Sequence, residues 1–275
     1  MISSLNTNTG SYSSIRSFGA AESAVQASQK RIASGRKVAD AYDNGAAFSV
    51  AEGLRGDTAA LGAANERLAV GKGMIDVAVK AGQFISSSLQ DARATLIKLS
   101  DPSLSADDRA NYQAQFKNQV GDIGAFVKDA KYNGVNLLDQ GAQNQNIVSN
   151  GSGGSVSVRA QDLQTSLVNV LSSADVSTAG AAASLLQPGG QFAQAENTLG
   201  SALNTLSADA KSVNNSIKSN NSIIDATNTG LGEIVDADLA KEAAALSAAQ
   251  AKQQLSGQSL SIANQAPQAL LGLFQ

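Results

Sequence analysis

Two interleaved ladders of small and aliphatic side chains, each with a seven-residue step, run through residues 61–99. The first ladder consists of Leu61, Leu68, Ile75, Gly82, Leu89 and Leu96, and the second of Ala64, Gly71, Ala78, Ile85, Ala92 and Leu99. Such steps bring both ladders to one side of an α-helix, as in helices that pack along their whole length. The pattern predicts a helix from about Asp57 to Leu99. Pro102 ends it, because proline has no amide hydrogen and disfavours helix in the residue before it.

A second and a third long helix follow from the same reasoning. Ser105 with Asp108 three residues later resembles a capping box, which opens a helix, and the Asn133–Gly134 turn closes it. The apolar face of this helix consists of Tyr112, Phe116, Val120, Ile123, Val127 and Ala130. The third helix carries two ladders, one of Phe192, Leu199, Leu206 and Val213 and one of Leu203, Ala210, Ile217, Ile224 and Leu231. Two ladders on one helix predict burial against more than one partner helix.

The segment between the second and third helices changes character. Alternating apolar and polar residues around a Gly/Ser-rich stretch predict a β-hairpin near 146–160. Residues 162–190 are interpreted as loop with one short helix. The predicted fold class is therefore mainly α: an elongated rod of long coiled-coil-like helices with a small β-hairpin, and a further helix toward each end of the chain.

The segments toward the two ends are weaker helices whose outermost parts carry no charged side chain. Residues 1–15 and 253–275 are uncharged, although apolar residues are spaced along both. Heptad spacing links Phe18, Val25 and Ile32 in the first segment, and Leu255 with Ile262 in the second. Neither segment buries enough apolar surface alone to offset the entropy of ordering it. We therefore expect both helices to need a partner, and Pro267 to break or bend the second.

Composition excludes several classes of function. The chain has no Cys and no His, which removes disulfides, thiolate or imidazole metal ligands and the common nucleophile–base pairs of hydrolases. A net charge of −3, without a basic stripe interleaved with aromatics, excludes nucleic acid as an expected partner. No apolar run approaches the roughly 18 residues of a membrane span. We predict no catalytic residue, no metal site, no cofactor and no membrane partner, and hence no enzyme.

Three stretches carry a resemblance to a known family. Residues 31–50, RIASGRKVADAYDNGAAFSV, resemble the N-terminal signature of bacterial flagellins. Residues 234–242, IVDADLAKE, and the run that follows to 274 resemble the C-terminal signature, and KYNGVNLL at 131–138 resembles the element after the second long helix. The resemblance covers about residues 1–138 and 191–275. Four residues depart from the family pattern. In the first signature the family usually has Asp, Ala and Gly where this chain has Asn44, Gly45 and Ala47. It usually has Arg where this chain has Glu233.

The resemblance implies a minimal flagellin without large outer domains, a structural subunit that polymerises into the extracellular bacterial flagellar filament for swimming motility. In flagellins both terminal segments form an α-helical coiled coil in the filament core. The implied regions are an N-terminal core helix at 1–42, a helical rod domain with its β-hairpin at 43–235, and a C-terminal core helix at 236–275. The implied partners are further copies of the chain, alone or with other flagellins, the flagellar export apparatus and its chaperone, the filament cap and the hook-associated proteins. Export without a cleavable signal peptide is expected, since residues 1–8 lack a positive region followed by an apolar one.

The same resemblance, together with the apolar spacing, assigns two groups of functional residues. The predicted polymerisation and core-packing residues are Leu5, Ile15, Phe18, Val25, Ile32, Leu239, Leu246, Leu255, Ile262 and Leu273. The predicted hinge and inter-subunit residues are Arg31, Ser34, Gly35, Arg36, Asp43, Asn44, Asp236 and Asp238.

Two alternatives remain open from sequence. A flagellar hook–filament junction protein shares terminal coils and rod-like helices with flagellins, and the close C-terminal match and short middle segment favour flagellin over it. An intracellular coiled-coil scaffold would be expected to carry dense charge beside its apolar seam, which the uncharged segments lack.

Overall fold

The computed structural model describes residues 7–272, and side chains as far as residue 265. Within this range the helices are α1 (Thr9–Ser34), α2 (Gly45–Leu99), α3 (Ala106–Asp129), α4 (Asn169–Ser172), α5 (Ala179–Leu186), α6 (Gln191–Val235) and α7 (Leu239–Gly272). The strands are β1 (Lys131–Tyr132), β2 (Val135–Asn136), β3 (Gln145–Val148) and β4 (Ser155–Val158), paired antiparallel as β1–β2 and β3–β4. A π-helical turn, Gln164–Val168, leads into α4. The predicted mainly α class is confirmed.

The chain divides into two compact units. We call the residues up to Gly56 together with those from Asp225 onward the terminal unit, and Asp57–Ile224 the middle unit. Helices α1 and α7 lie wholly in the terminal unit, whereas α2 and α6 contribute residues to both. The domain boundaries expected from sequence, after residues 42 and 235, lie in the connection between α1 and α2 and at the end of α6.

The core of the middle unit is built from the predicted ladders. Every member of both α2 ladders is buried, including the glycines at positions 71 and 82. On α6 the ladder that begins at Phe192 is buried, while the ladder that begins at Leu203 is half-buried. The predicted face of α3 is also buried from Phe116 to Ala130, with Tyr112 half-buried. Periodicity therefore predicted the faces that pack.

The start of α3 is the predicted capping box. The Ser105 Oγ accepts a hydrogen bond from the backbone N–H of Asp108 at 3.1 Å and donates one to the Asp108 carboxylate at 2.6 Å. The helix ends at Asp129, earlier than expected, because the two residues before the Asn133–Gly134 turn pair with the two after it. Both turn residues have positive φ, 49° and 81°, the combination that a two-residue hairpin favours.

The β3–β4 hairpin lies against α2 and α6 of the middle unit. Ile147 of β3 is buried and sits so close to Gly71 that a Cβ there would lie 2.0 Å from its Cδ1. At the hairpin loop the buried Asn220 side chain donates to the Ser149 carbonyl at 2.8 Å and to the Asn65 Oδ1 at 2.9 Å. After β4, the buried Asp209 carboxylate accepts bonds from the backbone and side chain of Arg159, the shortest at 2.7 Å. Side-chain packing and buried polar bonds thus hold the hairpin in place.

Three local predictions are wrong. Helix α2 begins at Gly45, not near Asp57, because Ala47, Phe48 and Ala51 bury an apolar face before the heptad ladders start. Residues 162–190 contain a π-helical turn and two short helices, α4 and α5, since small apolar groups such as Ala182 and Leu185 have helical spacing. Helix α7 continues past position 267 to Gly272, so the expected break at Pro267 is wrong while a bend there stays a prediction, because a proline removes one helical hydrogen bond without requiring the helix to stop.

Candidate functional site

The seam between α1 and α7 is lined by small and polar side chains. On α1 the buried residues are Ser14, Ala21, Val25 and Ser28. On α7 the buried residues among the described side chains are Ala249 and Ser256. Small residues allow two helices to approach closely, but they remove little apolar surface from water. The two helices therefore gain little hydrophobic stabilisation from each other.

Polar bonds set the register of this pair. The Asn8 side-chain amide donates to the Ala263 carbonyl at 2.7 Å, and the Ser14 and Ser259 hydroxyls lie 3.3 Å apart. At the other end of α1 the Arg31 guanidinium lies 3.3 Å from the Glu242 carboxylate. The partners of successive α1 residues run backwards along α7, so the two helices are antiparallel.

Several large apolar side chains of these two helices point away from the seam. Ile15 of α1 is 51% exposed, and Leu255 and Ile262 of α7 are 65% and 69% exposed. Tyr12 and Leu239 are also exposed, on α1 and α7 respectively. Leu239 lies 16 residues before Leu255, about 160° around α7, so we call only the other four residues the outer apolar face. Isoleucine and leucine side chains exposed on well-formed helices are candidates for contact with another molecule.

The predicted packing residues divide between the seam and the outer apolar face. Val25 is buried, and Phe18, Ile32 and Leu246 are half-buried. Ile15, Leu255 and Ile262 belong to the outer apolar face, and Leu239 is exposed elsewhere on α7. Leu5 and Leu273 lie outside the described residues. The seam of α7 thus does not use the leucine–isoleucine ladder that sequence spacing singles out.

A backbone junction joins the connection after α1 to the end of α6. Gly35 caps α1 in the left-handed conformation, with φ of 68°, and its carbonyl accepts a bond from the Ala237 N–H at 2.9 Å. Arg36 and Asp236 pair as an isolated antiparallel bridge, and the Lys37 N–H donates to the Val235 carbonyl at 2.8 Å. The two connections therefore run side by side as a short strand-like contact.

An apolar cluster lies beneath this junction. Val38, Ala51 and Val235 are buried together. Ala47, Phe48, Leu231 and Ile234 pack around them, partly buried. The cluster unites the connection after α1 with the first turns of α2 and the last turns of α6, all within the terminal unit.

Lys30 and two aspartates close the loop between α1 and α2. The Lys30 ammonium lies 2.7 Å from Asp40 and 3.1 Å from Asp43. Asp43 also accepts the Ala39 N–H at 2.9 Å. The bond from Lys30 holds the pKa of Asp40 below its usual range, and the Ala39 N–H, followed by Lys30, does the same for the pKa of Asp43. The hydrogen bond between Lys30 and Asp40 also raises the pKa of Lys30.

Three more of the predicted hinge and inter-subunit residues form hydrogen bonds at helix ends. Asn44 caps α2 by accepting the Ala47 N–H at 3.1 Å, and Asp238 caps α7 by accepting the Ala240 N–H at 3.0 Å. The Ser34 hydroxyl accepts the Arg36 N–H at 3.2 Å, at the end of α1. All eight predicted hinge residues lie at this junction or beside it.

Sequence reasoning missed the other half of the junction. Lys30, Asp40 and the buried Val38 were not singled out, although each lies inside or beside the signature at 31–50. Lys37 was missed as well, and its ammonium donates to the Glu233 carbonyl at 2.6 Å. That bond uses only the backbone of Glu233, so it does not depend on the departure from the family pattern at this position.

The described residues offer a surface for packing more than groups for chemistry. Among them, no three acidic residues converge in a way that could hold a metal ion. Searched over the same residues, no helix has both the length and the apolar character that crossing a bilayer demands.

Comparisons with known proteins identify the family. The model of the bacterial flagellin N-terminal helical region matches residues 5–144, and that of the C-terminal helical region matches residues 189–274. Flagellin FljK of Caulobacter vibrioides is 30% identical over 274 residues, which cover 100% of this chain and 99% of the relative. A flagellin of Brucella melitensis is 30% identical over 290 residues, which cover 100% of both chains. These findings favour neither the junction protein nor the scaffold. The chain belongs to the bacterial flagellin family and is a structural subunit of the flagellar filament.

Proposed function

We propose that this flagellin joins its neighbours in the filament through the outer apolar face of α1 and α7. One observation carries the proposal: apart from Val25, the residues buried in the seam are small, whereas Ile15, Leu255 and Ile262 are more than half exposed. A helix pair that formed a finished core would show the opposite distribution.

Burial in the seam alone does not offset the entropy of ordering the two helices. Ordering one residue costs about 1–2 kcal/mol in backbone entropy, and burying a valine or leucine returns about 1.5–3 kcal/mol. Helix α1 has 26 residues, and Ala21 and Val25 are its buried apolar side chains. The pair therefore needs contacts beyond the seam to remain ordered, and neighbouring subunits supply them.

The character of the surface also suits an open polymer. Contacts that join different surfaces of successive copies continue indefinitely when the rotation does not close a ring. Tyr12 and Ile15 on α1 differ from Leu255 and Ile262 on α7, so the two helices offer unlike surfaces for such contacts. Within residues 253–265 and 7–15 no charged side chain has to be desolvated when copies pack.

The junction has a second role in this proposal. Arg31, Ser34, Gly35, Arg36, Asp43, Asn44, Asp236 and Asp238 form the hinge region at the base of the α1–α7 pair. Several of them, including Arg36, Asn44 and Asp236, are exposed and remain available to a neighbouring copy. The paired backbones and the Val38–Ala51–Val235 cluster fix the direction in which the helix pair leaves the junction.

The same family membership supports further partners. Caulobacter vibrioides has several flagellins similar to this chain, which supports a filament shared with other flagellins. Passage through the flagellar export apparatus, with an export chaperone, the filament cap and the hook-associated proteins as contacts, suits terminal helices that become fully ordered only on assembly. Flagellins are structural proteins, and we assign no catalytic role to this chain.

Seeded polymerisation tests the proposal. Purified full-length protein is added to short filament seeds beside a fragment of residues 45–230, which contains the whole middle unit. Sedimentation and negative-stain microscopy then report polymer formation. Filaments from the full-length chain and none from the fragment are expected. Filaments from the fragment would show that the contacts lie in the middle unit.

A further inference from the structure

The chain contains three Asn–Gly dipeptides, at Asn44, Asn133 and Asn150. In such a dipeptide the glycine amide nitrogen can attack the asparagine side-chain carbonyl, because glycine has no side chain to hinder the approach. Whether the attack happens in a folded protein depends on the geometry around that carbonyl. The three sites differ in this respect.

Asn150 lies in the loop between β3 and β4. Two hydrogen-bond donors hold its side-chain oxygen. Its Oδ1 accepts the Ser152 N–H at 3.0 Å and the Gly154 N–H at 2.7 Å. Both donors follow Asn150 in the chain, so its side-chain oxygen lies beside the loop backbone that comes after Gly151. Asn150 and Gly151 are exposed, which leaves the site open to water. Two backbone N–H groups on one carbonyl oxygen are the arrangement that stabilises an oxyanion.

The other two sites differ from Asn150 in geometry. Asn44 Oδ1 accepts the single Ala47 N–H at 3.1 Å as the cap of α2, so an oxyanion there would have one backbone donor where Asn150 has two. Asn133 and Gly134 form a turn with positive φ at both residues, closed directly by the Tyr132–Val135 pair. Rotation of the Asn133 backbone toward the attack geometry would break this pairing.

We propose that Asn150 is the site at which this flagellin deamidates. The Gly151 nitrogen forms a bond to the Asn150 Cγ, and the oxygen of that carbonyl becomes negative between the Ser152 and Gly154 N–H groups. The Cγ–Nδ2 bond then breaks, and Nδ2 leaves as ammonia after taking up the proton lost by the Gly151 nitrogen. Water opens the resulting succinimide at either carbonyl, which gives aspartate or isoaspartate. The overall step consumes one water and releases one ammonia.

The product changes a loop that anchors the hairpin. The Ser149 N–H donates to the Gly154 carbonyl at 2.8 Å across the loop, and the Ser149 carbonyl accepts the buried Asn220 amide. Isoaspartate at position 150 inserts an extra methylene into the backbone between these bonds. Deamidation therefore adds a negative charge and loosens the hairpin loop from α6.

Peptide mapping by mass spectrometry of the aged full-length protein tests the proposal. Folded protein and protein in concentrated urea are incubated at the same neutral pH, and amide-to-acid conversion is followed at all three sites. In urea the three sites should react at similar rates. In the folded protein Asn150 should react on the order of tenfold faster than Asn44 or Asn133, as expected for donors that stabilise the oxyanion. Equal rates, or a faster reaction at Asn44 or Asn133, would overturn the proposal.

A substitution outside the dipeptide isolates the role of the two donors. A Cβ at Gly154 would lie 2.3 Å from the Asn150 Nδ2, so Gly154→Ala displaces the side-chain amide without changing Asn150 or Gly151. Gly180→Ala, where a Cβ meets nothing within 4 Å, is the matched control. Gly154→Ala should slow conversion at Asn150 alone, and Gly180→Ala should leave it unchanged. An unchanged Asn150 rate in Gly154→Ala protein would contradict the proposed role of the donors.

Discussion

The contact between Gly71 of α2 and Ile147 of β3 predicts opposite effects of the same substitution at two positions of one helix. At Gly71 a Cβ would lie 2.0 Å from the Ile147 Cδ1 and 3.3 Å from its Cγ1. At Gly62, on the same helix and in the same unit, a Cβ would meet nothing within 4 Å. Both replacements remove the helix penalty of glycine, but only one forces a buried side chain to move.

The magnitudes follow from these distances. Gly62→Ala should raise the free energy of unfolding of the middle unit by about 0.5–1 kcal/mol, the helix preference of alanine over glycine. Gly71→Ala gains the same preference but overpacks a buried contact, at a cost of about 1–3 kcal/mol. The two variants should therefore differ by about 1–3 kcal/mol, with Gly71→Ala the less stable.

Urea unfolding followed by circular dichroism measures the difference as a shift in midpoint at unchanged slope. Ile147→Val removes the Cδ1 atom and serves as the rescue. Alone it should cost about 0.5–1.5 kcal/mol, and in the Gly71→Ala background it should cost less or stabilise. Equal stabilisation by Gly62→Ala and Gly71→Ala, or strict additivity with Ile147→Val, would refute the packing of the hairpin against α2.

Three further predictions concern the cap of α3, the buried Asn220 amide and the stability of the terminal unit at low pH. Ser105→Ala removes the cap of α3 and should lower the free energy of unfolding by about 1 kcal/mol in the same urea experiment. Asn220→Ala leaves the partly buried Ser149 carbonyl without its donor and should cost about 1–3 kcal/mol, whereas exposed Asn215→Ala should cost little. Because the pKa of Asp43 is lowered from its ordinary 3.8, its contribution is present above that value and is lost as the pH falls through the lowered pKa. Asp43→Asn should therefore destabilise the terminal unit at neutral pH but not in strong acid, as measured by hydrogen exchange of residues 37–44.

Sequence periodicity predicted the middle unit because burial there is local to each helix. A ladder with a seven-residue step shows directly which side of α2 faces the core, and every ladder position from Leu61 to Leu99 is buried. On α6 the predicted ladder that begins at Phe192 has Val213 as its last member. The structure shows that Asn220, seven residues further on, is also buried with its amide hydrogen-bonded, so the ladder continues with a polar member.

Periodicity could not predict which face of α7 meets α1. Leu255 and Ile262 have heptad spacing, yet both belong to the outer apolar face, while Ala249 and Ser256 line the seam. A spacing rule identifies an apolar stripe but does not name its partner. When a helix contacts one partner within its own chain and others in neighbouring copies, the strongest stripe need not be the intramolecular one.

The junction was foreseen only where the family signature contains it. Arg36 and Asp236 lie in the two signatures and pair in the structure, although 200 positions separate them in the chain. The neighbouring Lys30–Asp40 bond and the burial of Val38 depend on the path of the loop after α1. No local pattern of charge or hydropathy specifies that path, so these residues emerged only from the structure.

The most direct test of the account compares two glutamate substitutions on α7 of the full-length protein. Leu255→Glu removes a member of the outer apolar face, and Gln258→Glu adds the same charge at a nearby exposed polar position. Burial of a leucine contributes about 1.5–3 kcal/mol, so Leu255→Glu should raise the critical concentration for seeded polymerisation on the order of ten- to a hundredfold. Gln258→Glu should change it much less, and circular dichroism should show equal helix content in both monomers. Equal critical concentrations for the two variants would contradict the claim that the outer apolar face joins the subunits.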